Sequence, residues 1–131
     1  MASGTGERPL PNIVQEKNLL GFAQSFNVVR FSMETNTTIY IVLPVPAGSA
    51  FRQGLVVIGG SAATKSGIYF YNGTNTTNLH VDTILAASYS GVSVAKGGNT
   101  YLKVTNGTTA LIGTIISGWG EKPTISSTQP T

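Results

Sequence analysis

From Asn27 onward the apolar residues of this chain recur at every second position, in short runs separated by Gly, Pro, Asn and Ser. No other feature restricts the fold as much. A β-strand sends successive side chains to opposite faces, so a period of two describes a segment with one face in a core and the other outside. Eight runs carry it: 27–33, 37–45, 55–58, 67–71, 79–85, 92–96, 100–105 and 109–117, each rich in β-branched and aromatic residues. In 37–45, Ile39, Ile41 and Leu43 share one face while Tyr40 and Val42 share the other. In 100–105, Leu102 and Val104 oppose Tyr101, Lys103 and Thr105. Eight short alternating strands predict an all-β chain, an antiparallel β-sandwich or jelly roll.

The punctuation agrees. Asn106-Gly107 has the composition of a tight hairpin turn, and Gly97-Gly98-Asn99 supplies another before it, so 92–117 reads as a three-stranded meander. The polar segment 72–78 links two further strands. Pro44 and Pro46 end a strand or place it at a sheet edge, since proline donates no ladder hydrogen bond.

The ends differ from the middle. In residues 1–26, Arg8-Pro9-Leu10-Pro11 is stiff and extended. After it, Asn12 to Gly21 fit either a short helix or an arm lying on a neighbouring subunit. Residues 121–131, rich in Ser, Thr and Pro, read as a flexible surface tail. The expected organisation is an N-terminal arm or short helix (1–26), a sandwich domain (27–120) and a tail. No repeat, heptad or collagenous period occurs.

Charge narrows the function. Charged residues are 10% of the chain, against about 25% in ordinary soluble domains. A surface so poor in ions suits burial against copies of itself, and self-association follows as an expectation. The net charge is +3, but the eight basic residues are spread along the chain with no cluster to track phosphates, which argues against nucleic-acid binding. No run approaches the roughly 18 apolar residues of a membrane helix, so no membrane insertion is expected. The first residues show neither the basic nor the apolar region of a signal peptide. There is no cysteine, hence no disulfide framework.

Catalytic chemistry has few candidates. The one His and the one Asp, His80 and Asp82, are two apart and project from one face of a strand. Nothing around them resembles a nucleophile elbow, so they read as a surface pair or subunit contact. Scattered carboxylates and a single His do not make a zinc site. No phosphate loop, dinucleotide fingerprint or calcium loop is present. The expectation is a non-enzymatic protein without cofactor or metal. Four Asn-X-Thr sequons, at Asn36, Asn72, Asn75 and Asn106, read as turn chemistry. Aromatic residues remain as binding candidates. If Phe70 points inward, Tyr69 and Tyr71 are exposed beside the 72–78 loop. Tyr69, Tyr71, Asn75, Asn78 and Trp119 are then the candidate glycan or protein contacts.

The run Gly91-Val92-Ser93-Val94-Ala95-Lys96-Gly97-Gly98-Asn99-Thr100-Tyr101-Leu102-Lys103-Val104-Thr105-Asn106-Gly107-Thr108 resembles the strand–turn–strand wording of small β-sandwich proteins on tailed bacteriophages. These include head decoration (cement) proteins and tail-fibre tips, many of them homotrimers. The resemblance implies a virion structural protein, foremost a decoration protein forming trimers on the head and contacting the major capsid protein or other virion proteins. The alternative it implies is a tail-fibre tip that recognises a bacterial surface glycan.

Overall fold

A computed structural model describes residues 26–44, 51–60, 66–74, 78–88 and 91–130. Within them lie nine strands: β1 (Asn27–Met33), β2 (Thr38–Val42), β3 (Arg52–Gly60), β4 (Ser66–Gly73), β5 (His80–Leu85), β6 (Ser93–Lys96), β7 (Tyr101–Thr105), β8 (Leu111–Trp119) and β9 (Thr124–Ser126). They build a five-stranded sheet in the order β1-β8-β3-β4-β5 and a four-stranded sheet in the order β6-β7-β2-β9, every pairing antiparallel. The chain is a β-sandwich.

The alternation puts one set of side chains between the sheets. Val56, Ile58, Leu111 and Ile115 from the larger sheet meet Ile41, Leu43, Leu102 and Val104 from the smaller one, all buried in one cluster. Each such side chain contributes about 1.5–3 kcal/mol relative to exposure, and this layer is what holds the two sheets together.

The meander expected over 92–117 is corrected. β6 and β7 do form a hairpin, but β7 pairs next with β2, whereas β8 lies in the other sheet between β1 and β3. Asn106-Gly107 is therefore a crossover between sheets. The hydrogen bonds give the reason: the connection from β1 to β2 crosses at the same end, and the two crossings bind each other. Asn36 N donates to Gly107 O (2.7 Å) and Asn106 N to Thr37 O (2.9 Å). The buried Asn106 side chain donates through Nδ2 to Glu34 O at 2.7 Å. The left-handed residue at this corner is Asn36, with φ 57°. Pairing β1 with β8 and β2 with β7 is the nested winding of a jelly roll, while β3, β4 and β5 run on as a meander within one sheet.

The C-terminal segment is also corrected over part of its length. Thr124–Ser126 is β9, paired with Val42–Tyr40 of β2. Just before it, Pro123 is buried, and Gln129 Nε2 beyond it donates to Tyr101 Oη at 3.1 Å. A strand of three residues is too short for periodicity to reveal. The helix or arm expected over 1–26 falls outside the described residues except for Phe26.

Candidate functional site

The outer face of the larger sheet ends in a cleft of about 260 Å³ lined by Phe51, Gln53, Asn72 and Trp119. A β-bulge makes it. Ser117 pairs with Gly54 and points inward, so regular alternation would send Trp119 inward too. The register shifts between Gln53 and Gly54, Gly118 is left unpaired, and Trp119 comes to lie opposite Gln53 on the outer face. Re-aiming a side chain is what such bulges do. Trp119 and Phe51 are 54% and 57% exposed, and their rings meet edge to face with centroids 6.4 Å apart.

Cross-strand pairing extends the site. Gln53 lies beside Asn72, and Asn72 beside His80, giving the row Trp119–Gln53–Asn72–His80 across four strands. His80 Nε2 and Asp82 Oδ1 stand 2.9 Å apart, both groups well exposed, on β5 at the sheet's edge. The surface pair expected from their spacing is present. Among the described residues no three of His, Cys, Asp and Glu come together as a metal site.

Beneath the cleft, Arg52 is buried at 1% exposure, its Nη1 donating to Asn99 O at 2.9 Å and Leu43 O at 3.3 Å. This cation ties the start of β3 to the end of β2 and to the β6–β7 turn, and so braces the strand that carries Phe51 and Gln53. Beside it, burial pushes the Tyr71 phenol above its ordinary pKa, with Ser117 and Arg52 pulling the other way.

The exposure expected for Tyr69 and Tyr71 is reversed. They are 4% and 1% exposed and lie in the core, while Phe70 is on the outer face opposite Leu55. The space they occupy is supplied by glycine: a Cβ on Gly54 would stand 2.6 Å from the Tyr71 hydroxyl, and one on Gly67 would crowd the Tyr69 ring at 3.2 Å. Tyr69 Oη accepts a hydrogen bond from Ala87 N at 3.2 Å, so its polar end is satisfied inside. Neither ring is available to a ligand. Asn78 is exposed, donating through Nδ2 to Thr74 Oγ1 at 3.2 Å, and Asn75 lies outside the described residues. Of the five residues singled out from sequence, Trp119 is in the cleft. Phe51, Gln53 and Asn72, its partners, were not among them. The Asn72-Gly73 sequon was the nearest signal, and nothing in the strand pattern marks Phe51 or Gln53.

What the site defines is a sandwich edge bearing two open aromatic rings and two uncharged amides, which together offer stacking surface plus hydrogen-bond donors and acceptors. No protein-family model matches the chain, and no curated protein matches it. Two solved structures resemble it. One is a tailspike protein of Acinetobacter baumannii bacteriophage Fri1, described as a capsular polysaccharide depolymerase, with 14% identity and a TM-score of 0.48; the match covers 77% of this chain and 18% of that one. The other is a tailspike protein of a further Acinetobacter phage, with 16% identity and a TM-score of 0.43 over 79% of this chain and 22% of that one. The chain thus spans about a fifth of the length of these solved chains. The expectation of a non-enzymatic chain is corrected: one of the two solved proteins that resemble it is described as a capsular polysaccharide depolymerase.

Proposed function

We propose that this chain is a receptor-binding module of a phage tail fibre or tailspike, holding an uncharged segment of a bacterial surface glycan in the Trp119 cleft. The observation that carries the reading is the bulge that turns Trp119 out beside Phe51, Gln53 and Asn72. Trp119 leaves about half of its indole in water beyond its contact with Phe51, and a sugar ring presents a C–H face to stack on it and hydroxyls for amides to bind. Recessed apolar surface with a few fixed polar groups is the usual make-up of a small-ligand site. The phage setting is supported by the wording of residues 91–108. The decoration reading, with the chain on a capsid, rests on the ion-poor surface and on the arm and tail expected from the sequence, and it does not use the cleft, so it takes second place.

Trp119 is the single tryptophan of the chain, which makes the test direct. Titration with purified capsular and O-antigen polysaccharides should shift its emission and saturate for at least one of them. Gln53→Ala should weaken that binding about tenfold, the loss of one to two hydrogen bonds to a neutral partner. Silence across such a panel, together with a raised disruption temperature of undecorated phage heads, would favour the capsid reading instead.

A further inference from the structure

The row Trp119–Gln53–Asn72–His80 crosses four strands, and its chemistry changes in one direction. At β8 the indole and the neighbouring Phe51 ring offer stacking surface. In the middle, the amides of Gln53 and Asn72 both donate and accept. At β5 the groups turn to acceptors. His80 Nε2 and Asp82 Oδ1 stand 2.9 Å apart, on side chains 69% and 58% exposed. A carboxylate only accepts, so the proton between them belongs to Nε2. Asp82 Oδ2 and, in the neutral ring, His80 Nδ1 are left to accept from a ligand.

The adjoining row supplies a floor. Phe70 lies directly opposite Asp82, outward-facing and half-buried, with Leu55 on its other side. A phenyl ring beside a carboxylate repeats at β5 what Trp119 and the amides make at β8. Each pairs an apolar face for C–H groups with a polar rim for hydroxyls. Among the paired residues of the two rows, Trp119–Gln53–Asn72–His80 and Val28–Ile116–Leu55–Phe70–Asp82, Asp82 is the one formal charge.

We infer that Phe70, His80 and Asp82 form a second subsite, which takes a further sugar of the glycan held at Trp119, rich in free hydroxyls and without an acidic group. The inference rests on the Trp119 cleft being a glycan site. Spacing supports it: three strand separations of about 4.8 Å set the two ends roughly 14 Å apart, more than one sugar ring covers and the span of a short oligosaccharide. Gln53 and Asn72 then bind the part of the chain between the two subsites. Charge selects the sugar. Acceptors around a carboxylate call for O–H or N–H donors and repel the carboxylate of an acidic sugar. Position fits a polymer, because β5 is the edge strand of its sheet and a longer chain can run on past it.

The chain has one Trp and one His, so each subsite carries its own reporter. The full chain is titrated with purified neutral capsular and O-antigen polysaccharides, followed by Trp119 emission and by the NMR resonances of the His80 imidazole. Both reporters should move with the same polysaccharide and at the same midpoint. Asp82→Asn, at an exposed position that leaves the urea midpoint nearly unchanged, should weaken binding of that polysaccharide about tenfold, the loss of one charge-assisted hydrogen bond. The same variant should lose much of the preference for it over polysaccharides containing uronic acid. Single sugars cut from it should bind wild type and Asp82→Asn alike as read by Trp119 emission, because they fill only that cleft. A response of Trp119 with His80 unmoved, or equal affinity of Asp82→Asn for the long chain, would overturn the second subsite and leave the proposed function standing. Movement of His80 alone, or silence of both reporters, would end the two readings together.

Discussion

The close approach of Phe31 to Gly113 offers a prediction whose size can be worked from the structure. Gly113 lies on the inner face of β8, opposite Phe31 of β1 and Ile58 of β3. Its backbone is not left-handed, so alanine is conformationally admissible, and what it lacks is room. A Cβ at Gly113 would overlap Cζ and Cε1 of Phe31 and stand 2.6 Å from Cε2. Carbon atoms settle at about 3.5–4.0 Å, so the ring has to move by more than an ångström. β1 is an edge strand, and the ring's way out is toward water, away from the core it packs against. Overpacking of this kind costs about 1–3 kcal/mol. The narrower unfolded ensemble of alanine returns roughly 0.5–1 kcal/mol. Gly113→Ala should therefore destabilise by about 1–2 kcal/mol, read as a lower midpoint in urea at constant slope. The decisive measurement is the cycle with Phe31→Ala, which removes the ring. In that background Gly113→Ala should be neutral or slightly stabilising, a coupling of about 1–3 kcal/mol. Equal cost in both backgrounds would refute the steric argument and move the effect to the backbone.

Asn106→Ala removes the buried amide that bonds Glu34 O and should cost about 1–2 kcal/mol, because the carbonyl at the paired crossings loses its partner; an unchanged urea midpoint would show that the crossings hold without it. Arg52→Met deprives Leu43 O and Asn99 O of their donor and should lower stability by roughly 2–4 kcal/mol, while also weakening polysaccharide titration of Trp119 through loosening of β3. For Tyr71 the folded pKa lies above the unfolded one, so the neutral phenol favours the fold below about pH 10. That contribution is lost as pH rises through the folded value, because the unfolded chain releases its proton first. Stability should fall on the alkaline side, and Tyr71→Phe should flatten that fall. An identical alkaline slope in the variant would mean Tyr71 does not carry it.

Strand content was legible because alternation is local: β1 begins and ends where the pattern does, and the inward sets Ile39/Ile41/Leu43 and Leu102/Val104 are the ones facing the core. Which strands pair was not legible. Asn106-Gly107 has hairpin composition, yet its backbone bonds are taken by residues 36 and 37, some seventy positions earlier, and no local signal reports a contact of that range. The sense of β4 is not legible for a related reason. Phenylalanine is the more apolar residue, but glycines on β3 and at the start of β4 leave space that only the tyrosines' side of the strand can fill.

The amino-acid order by itself determined that this chain alternates, turns and lacks ions, because each of these is a property of neighbours in sequence. The tertiary structure alone decided which strands pair, which face of β4 meets the core, and that a bulge carries Trp119 outward. Those depend on cross-strand register, and a shift of one residue there exchanges the two faces without altering the pattern that encodes them.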